Sequence, residues 1–219
     1  MTLIERLAGY VPAIVSGTLT TAWLSAVAIA VGFIAAIALY VFRTQGGSLG
    51  RTLVHGYVSF FRGTPLLVQL LMLFYLPSAL GVDLQPEIAA IAALGLNSAA
   101  FQSEILRAGF SSIPYAQLET ASAFGLSQRQ ILWNIQIPQV LRLTQPSLVS
   151  ESIDIIKGSA VLSVIAIADL MRVGRQLTAV SYRPLEVYVS VALAYLVLTS
   201  LLVLLAGYLA NRNQMERAA

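Results

Sequence analysis

The chain of 219 residues lacks the side chains on which several kinds of protein chemistry depend. It contains no cysteine, which excludes disulfide bonds, a thiolate nucleophile and a cysteine-ligated metal. Its single histidine, His55, stands beside no second metal-binding residue and no serine partner, so we expect it to be a packing or interfacial residue. The single lysine, Lys157, follows none of the glycines of a phosphate-binding loop. We therefore expect no catalytic residue, no metal site and no cofactor on this chain.

Charge is also scarce. Charged residues make up 11% of the sequence, whereas a soluble domain has about 25%. Hydrophobic residues reach 58%, and the mean hydropathy is +0.79. Because lipid cannot solvate charge, this composition is typical of a chain embedded in a bilayer. The net charge of +3 is small and dispersed, which gives no indication of a nucleic-acid partner.

The apolar runs predict an all-α, polytopic membrane protein that forms one domain over residues 1–219. Pro12 and Gly17 indicate that the residues before the first span are less helical. The uncharged run from Leu7 to Phe42 exceeds the apolar core of a signal peptide, so we do not expect a cleaved one. Five transmembrane helices are predicted, at residues 18–42, 52–79, 86–107, 144–168 and 185–210.

The distribution of arginine predicts the orientation of these five spans. An odd number of spans places the two ends on opposite faces, and the face richer in arginine is the cytoplasmic one. Eight arginines fall on the face that carries the C-terminus, and four fall on the other. We therefore expect an N-terminus outside and a C-terminus in the cytoplasm. The cytoplasmic set is Arg43, Arg51, Arg62, Arg107, Arg129, Arg142, Arg212 and Arg217, and the outer set is Arg6, Arg172, Arg175 and Arg183.

The segment between spans three and four, residues 113–143, is too ordered in its pattern to be a linker. Pro114 suits the first turn of a helix, and Gly125 can adopt the left-handed conformation that ends one. Ser127 followed by Gln130 is a capping box that opens a second helix. Pro138 is expected to stop that second helix. The sequence thus predicts two short cytoplasmic helices joined at a glycine.

Charged residues inside the fourth predicted span are the strongest candidates for a binding site. Glu151, Asp154 and Lys157 are three residues apart, so neighbours lie on adjacent turns of one helix face. Ionised groups at this depth need partners or water. Two interpretations remain open: a structural network among the three, or a polar cavity in which the acids contact a substrate with an amino group or a cationic side chain. Lys157 is expected to hold the acids in place.

Polar residues in the second and third spans are weaker candidates. Pro65 frees a backbone carbonyl, to which Thr64 can rebind, and this indicates a helix kink or part of an inner gate with Arg62. Asn97 and Ser98 lie in mid-span, where they form interhelical hydrogen bonds or contact a substrate. A further pair, Glu104 and Arg107, is expected to form an ion pair at the inner interface.

The segment QLETASAFG (residues 117–125), followed by IPQ at 137–139, resembles the cytoplasmic loop of bacterial ABC importer permeases that bears the Glu-Ala-Ala motif. Further segments resemble the polar amino-acid permease family in the same order: SFFRGTPLLVQ, LNSAAFQSEILRAG, IPQVLRLTQPSL, KGSAVLSVI and SYRPLEVY. Together they cover residues 17–210. Thr120 stands where the motif has its first alanine.

The resemblance implies the pore-forming subunit of an importer for a polar or cationic amino acid in the bacterial inner membrane. It implies a second permease subunit, two ATP-binding subunits that hold ATP and magnesium, and a solute-binding protein. Coupling to the ATPase would depend on Glu119, Thr120, Ala121 and Gly125. An importer for another amine-bearing solute, such as an opine, is the main alternative. An ATP-independent secondary transporter is less favoured, because five spans do not divide into paired halves.

Overall fold

Long apolar segments separated by short turns fold into nine α-helices within residues 3–215, the part of the chain that this computed structural model describes; side chains are described for residues 5–210. A π-helical turn, Leu132–Gln136, precedes α7, and a 3-10 helix, Ser159–Ile165, follows it. The α-helices are α1 Leu3–Gln45, α2 Gly47–Gly63, α3 Leu66–Ala79, α4 Pro86–Ser111, α5 Tyr115–Ala123, α6 Gln128–Ile131, α7 Ile137–Gly158, α8 Leu170–Ser181 and α9 Pro184–Met215.

The centre of the fold is the packing of α1 against α4. Ala28, Ala90 and Ala93 are fully buried there with Leu24 and Leu94. A Cβ on Gly32 of α1 would lie 3.0 Å from the carbonyl oxygen of Gly95 on α4. Small residues of this kind let two helix backbones approach closely, which is the usual basis of helix association in lipid.

Three helices in the described part of the chain are long and apolar enough to cross a membrane: Glu5–Gln45, Pro86–Ser111 and Pro184–Ala210. The pair α2 and α3 adds a fourth if it is counted as one bent span. The predicted fourth span is not in this set because α7 carries Arg142, Glu151, Asp154 and Lys157. The all-α prediction is confirmed, and the count by length and composition is three or four.

The predicted boundaries need correction at the first, third and last spans. The residues before residue 18 are helical, because α1 begins at Leu3 and runs through Pro12 without a break. The third predicted span extends one turn further, to Ser111. The last helix begins at Pro184 and continues to Met215, beyond the predicted residue 210.

Pro138 does not stop the second short helix, so that prediction was wrong. The helix that begins at Gln128 passes through the π-helical turn into α7 without interruption. The Ile137 N–H reaches back five residues to the Leu132 carbonyl. This wider turn gives room for the proline ring, which would clash with the carbonyl four residues back in a regular α-helix. The helix that contains the fourth predicted span therefore begins at Ile137, not at residue 144, and its α-helical part ends at Gly158.

The second predicted span is not one helix. It breaks after Gly63, and α2 and α3 meet at an angle of 107°. Thr64 and Pro65 are extended, with ψ of 147° and 136°. Pro65 lacks an N–H and disfavours helical geometry at Thr64, and both effects end α2 at this point.

The helix α8 was not predicted from the sequence. It packs on the N-terminal ends of α1 and α9, where Leu170 and Val187 are fully buried beside Tyr10 and Ile14. The Asp169 side chain caps its first turn by accepting hydrogen bonds from the N–H groups of Met171 and Arg172. Its signal in the sequence is an N-cap residue followed by apolar residues at helical spacing, Leu170, Val173 and Leu177.

Candidate functional site

The break between α2 and α3 leaves backbone carbonyls that no helix can bond. In the described chain, the buried side chain of Gln69 donates hydrogen bonds to two of these carbonyls. Its amide nitrogen lies 2.9 Å from the Phe61 carbonyl oxygen, 3.0 Å from the Thr64 carbonyl oxygen and 2.8 Å from the Thr64 hydroxyl. The Thr64 hydroxyl in turn donates to the Phe60 carbonyl. Thr64 therefore rebinds the backbone, one of the two roles expected for it.

Asn97 and Ser98 are adjacent on α4 but serve different neighbours. The Asn97 amide donates to the Phe61 carbonyl at 3.1 Å and to the Gln69 side-chain oxygen at 3.0 Å. Asn97 thus fastens α4 to the break. Ser98 is fully buried and lies beside the Glu151 carboxyl on α7. It also accepts from the Gln102 amide at 2.7 Å.

Glu151 and Asp154 lie one turn apart on α7 in unlike surroundings. Glu151 is 8% exposed, and the charged groups that act on it are Asp154 and Arg62. The Asp154 side chain is 68% exposed and forms an ion pair with Lys157 at 3.0 Å. The structure therefore separates the three residues into a buried acid beside Ser98 and an exposed pair.

The exposed face of α7 is polar over its C-terminal half. Ser147, Ser150, Asp154 and Lys157 recur at intervals of three or four residues and are all exposed. This spacing places them on one stripe of the helix. Polar and charged groups on a membrane helix face a water-filled cavity or another protein surface, because lipid cannot satisfy them. The polar stripe, defined by these four residues, is therefore not a lipid-facing surface.

Arg62 is the last charged residue before the break, and its guanidinium lies over the Phe101 ring at 5.1 Å from the centroid. It makes no hydrogen bond or ion pair with the described residues. No backbone N–H of α3 bonds the carbonyls of Arg62 or Gly63 within the described chain. The break thus presents two backbone acceptors without an N–H partner from α3 in the described chain, and a cation whose charge acts on Glu151.

A cavity of about 540 Å³ lies beside this group, between the end of α2, α4 and α7. Glu104 and Arg107 form the predicted ion pair at 2.7 Å, and Arg43 of α1 binds the same carboxylate at 2.7 Å. Two members of this Arg43–Glu104–Arg107 cluster, Glu104 and Arg107, line the cavity. The lining includes Arg62, Phe101, Glu104, Arg107, Ser112, Thr144 and Ser147.

The segment between α4 and α7 has the predicted helix, glycine and helix arrangement. Gly125 has φ of +84°, and the Ser127–Gln130 capping box is formed by hydrogen bonds of 2.8 and 3.3 Å. Pro114 is the residue just before α5 and not within its first turn. The two short helices are therefore joined at a glycine as predicted, and the turn at Gly125 between α5 and α6 is called the elbow below.

The residues expected to couple this segment to a partner lie on and around α5. Glu119 and Thr120 are exposed, whereas Ala121 is buried, with 7% of its surface exposed. Phe124, the residue before Gly125, is 81% exposed. An aromatic side chain so exposed at a helix end is typical of a surface that another protein covers. Phe124 was not among the residues to which the sequence assigned a coupling role.

Gln69 was also missed, although the sequence contained a signal for it. It is the one polar side chain in the run LLVQLLMLF, and it lies four residues after Pro65, one helical turn from the break.

Within residues 3–215, no group of three histidine, aspartate or glutamate side chains could hold a metal. The sequence-predicted residues that the structure brings together are Arg62, Thr64, Asn97, Ser98, Glu151 and Asp154.

Comparison with known proteins identifies the kind of protein to which this arrangement belongs. The arginine transport system permease protein ArtQ of Bacillus subtilis is 35% identical over 88% of this chain and 88% of its own length. The nopaline transport system permease protein NocM of Agrobacterium fabrum is 31% identical over 94% of this chain and 91% of its own. A crystal structure of an amino acid ABC transporter with histidines superposes with a TM-score of 0.88, at 30% identity, over 97% of this chain and 99% of that one. Residues 28–214 match the family of binding-protein-dependent transport system inner membrane components, and the chain belongs to that family.

Proposed function

We propose that this chain is the pore-forming subunit of an ATP-driven importer that moves a polar or cationic amino acid across the bacterial inner membrane by alternating access. The observation that carries the proposal is the polar stripe on α7, which is exposed beside the buried Glu151. Of the two surfaces that such a stripe can face in a membrane protein, a water-filled path or another protein, the proposal takes the path. Family membership supports transport as the purpose of that path.

The proposed topology has five spans. Span two is the bent pair α2 and α3, and span four is α7 with its 3-10 extension, Ser159–Ile165. The excess of arginine on one face supports a cytoplasmic position for α5, α6 and the C-terminal end of α9. The N-terminal end of α1 and the helix α8 then lie outside. The path would open alternately between these two sides.

The substrate is held, in this proposal, by groups that match both charges of an amino acid. Glu151 and Asp154 attract an ammonium or a cationic side chain, and the free carbonyls of Arg62 and Gly63 accept its hydrogen bonds. The Arg62 guanidinium, which has no other acceptor among the described residues, binds the carboxylate. Asn97, Ser98 and Thr64 support these groups, and Lys157 fixes the Asp154 carboxylate by the 3.0 Å ion pair.

Coupling to the energy source is assigned to α5 and the elbow at Gly125. Glu119, Thr120 and Phe124 are exposed there, so a partner can cover them. Because α6 continues through the π-helical turn into α7, a push on the elbow moves the helix that carries Glu151 and Asp154. The chain would thus transmit motion from the ATPase to the binding site, and would not itself catalyse a reaction.

The proposal requires several partners. Two ATP-binding subunits hold ATP and magnesium and dock on α5 and α6 of two permease subunits, which are identical or sister chains. A solute-binding protein delivers the amino acid from outside. The lipid bilayer surrounds the apolar faces of α1 and α9, where large apolar residues such as Ile34, Leu204 and Leu205 are more than 60% exposed.

Reconstitution tests the function directly. The chain is purified together with the ATPase and solute-binding protein encoded beside its gene and placed in proteoliposomes. Uptake of radiolabelled L-arginine, L-histidine, L-glutamine and L-cystine is then measured with and without internal ATP. We expect uptake of at least one of these amino acids that needs both ATP and the binding protein. Uptake driven by an ion gradient alone would instead show a secondary transporter.

An opine is a second candidate substrate, favoured by the 31% identity to the nopaline permease over 94% of this chain. An opine carries an amine and more than one carboxylate, so it would place additional negative charge near Glu151 and Asp154. Radiolabelled nopaline in the same uptake assay decides between the two substrates. Uptake of nopaline without uptake of the amino acids would replace the amino-acid proposal.

A further inference from the structure

Gln69 makes more hydrogen bonds at the α2–α3 break than any residue to which a role has been assigned so far. It is 2% exposed, and its side-chain nitrogen reaches three acceptors within 3.0 Å. Its side-chain oxygen accepts from the Asn97 amide. One amide thus connects the end of α2, the start of α3 and the middle of α4.

The bonds of Gln69 replace those that Pro65 removes. In a continuous helix the Phe61 carbonyl would accept from the N–H of residue 65, which a proline lacks. The Thr64 carbonyl would accept from Val68, whose N–H bonds Pro65 instead at 3.0 Å. Gln69 and Asn97 together bond the Phe61 carbonyl, and Gln69 bonds the Thr64 carbonyl. Left unbonded in an apolar interior, each such group would cost about 1–3 kcal/mol.

The two carbonyls between those positions, of Arg62 and Gly63, are the ones that no N–H of α3 bonds in the described chain. Gln69 therefore satisfies both ends of the break and leaves its middle available. The same fastening fixes the direction in which Arg62 leaves α2. A break held in this way has its acceptors and its cation in place before a ligand arrives.

We infer that Gln69 is a positioning residue for substrate binding: its amide, fastened by Asn97, holds the α2–α3 break open so that Arg62 and the carbonyls of Arg62 and Gly63 face the ligand. The inference rests on the proposed function and extends it by one residue. Gln69 itself touches no ligand in this arrangement, since its polar atoms are occupied by Phe61, Thr64 and Asn97.

The first test compares two glutamine-to-leucine variants in the assembled transporter. Gln145→Leu is the matched control, because the Gln145 amide also bridges two helices by a bond to a backbone carbonyl, that of Ala206 at 3.1 Å. With the panel amino acid that the wild type takes up, we expect Gln69→Leu to raise KM about tenfold and change Vmax less than twofold. Gln145→Leu should leave KM unchanged. Equal shifts in KM for the two variants would overturn the inference.

An exchange variant separates positioning from simple burial of an amide. In Gln69→Asn combined with Asn97→Gln, both amides and their combined length are kept, so the chain of bonds can re-form. We expect its KM to return to within about threefold of wild type, while Gln69→Asn alone stays raised. A double variant no better than Gln69→Asn would contradict the proposed link. The same pair replaces Gln69→Leu if that variant fails to assemble.

A second measurement needs no substrate. The chain has no cysteine, and a Cβ on Gly63 meets no atom within 4 Å, so Gly63→Cys is an unobstructed reporter at the break. Its labelling rate with a charged methanethiosulfonate reagent should change about tenfold when Gln69→Leu is added and stay constant with Gln145→Leu. A constant labelling rate in both backgrounds would show that Gln69 does not determine the structure of the break, even if transport is confirmed. If the wild type transports none of the amino acids in the panel, the proposed function is contradicted. The labelling rate still tests the role of Gln69 at the break in that case.

Discussion

Single side chains decide what the polar part of this membrane chain can bind. Glu151 is enclosed beside Ser98, whereas Asp154, one turn away, is 68% exposed and already paired with Lys157. Two carboxyl groups of the same helix thus differ in what they can offer a ligand. Glu151 is buried and offers a ligand little accessible surface, whereas Asp154 can meet a solute that is still in water.

Removing the charge of either acid should weaken substrate binding. We expect Glu151→Gln to raise KM about tenfold, since it loses a charge-assisted hydrogen bond in a poorly solvated place. Asp154→Asn should have a smaller effect, about threefold, because water screens an exposed group. The measurement is the concentration dependence of uptake in proteoliposomes. Asp83→Asn, a change at an exposed acid in the turn after α3, is the control. Unchanged KM in both variants would exclude an acidic binding pocket.

Close helix contact gives a second prediction at this scale. A Cβ on Gly109 of α4 would overlap Thr144 Cγ2 and lie 3.0 Å from Val140 Cγ1 on α7. Both neighbours are buried and β-branched, so they cannot turn away. We expect Gly109→Ala to destabilise the protein by about 1–3 kcal/mol. Gly56→Ala in α2, where the Cβ meets nothing within 4 Å, should be neutral or slightly stabilising. Thermal unfolding in detergent compares the two, and equal midpoints would show that α4 and α7 are loosely packed.

Some of these residues were recognisable from the sequence and others were not. The Glu104–Arg107 pair follows from spacing along one helix, and the structure confirms it. The role of Gln69 depends on carbonyls that are free only because α2 and α3 meet at 107°. The sequence predicted a kink or a gate at Pro65. The angle between α2 and α3 could not be read from the sequence. The sequence therefore could not show which side chain would bond the carbonyls that the break leaves free.

At the scale of the element, the elbow between α5 and α6 is the part expected to meet the ATPase. Glu119 is exposed on α5 and lines a small depression together with Ser122 and Gln128. A carboxylate in this position can accept hydrogen bonds from a basic group on a partner.

Glu119→Ala should separate ATP hydrolysis from transport. We expect the assembled complex to hydrolyse ATP near the wild-type rate and to move at least about tenfold less substrate per ATP, since a charged hydrogen bond at the interface is lost. Parallel assays of phosphate release and uptake give the ratio. Thr52→Ala, an exposed change on α2 away from the elbow, is the control. A normal ratio in the Glu119 variant would remove that residue from coupling.

The backbone of Gly125 gives a graded prediction for the same element. Its φ of +84° suits glycine, and nothing within 4 Å would obstruct a Cβ, so strain alone is tested. Gly125→Ala should cost about 1 kcal/mol of local stability, and Gly125→Asn should cost less because asparagine tolerates the left-handed region. The measurement is limited proteolysis at the elbow. We expect cleavage to be slowest in the wild type, faster in Gly125→Asn and fastest in Gly125→Ala. The reverse order would show that the turn relaxes freely.

Capping chemistry was therefore a better guide to the elements than proline was. The Ser127–Gln130 capping box and the turn at Gly125 form as predicted, because both are decided by neighbouring residues. Pro138 was expected to stop a helix, and Pro12 was expected to make the residues before the first span less helical, but both lie within helices. A helix continues through a proline when the surrounding turn can release the lost bond, as the π-helical turn does before Pro138. That release depends on geometry that the residue type does not specify.

At the scale of the molecule, the proposed orientation can be tested because the chain has no cysteine. Ser122 on α5 and Tyr182 between α8 and α9 are both exposed and lie on opposite sides in the proposed topology. We expect Tyr182→Cys to react with an impermeant maleimide added outside intact spheroplasts. Ser122→Cys should react only after the membrane is opened. Reaction of both from outside would contradict the five-span arrangement.

The great length of α1 has a consequence for the membranes in which the protein can work. Its 43 residues extend about 64 Å, roughly twice the hydrocarbon thickness of a bilayer. Tilting absorbs only part of such an excess. Near its N-terminus, Tyr10 and Ile14 are covered by α8 and α9, so protein takes the place of lipid where the helix leaves the bilayer. The water boundary can then move along the face of α1 that α8 and α9 partly cover, whereas Val11 and Val15 on the same helix are 53% and 50% exposed. We expect the protein to tolerate bilayers of long acyl chains better than bilayers of short ones.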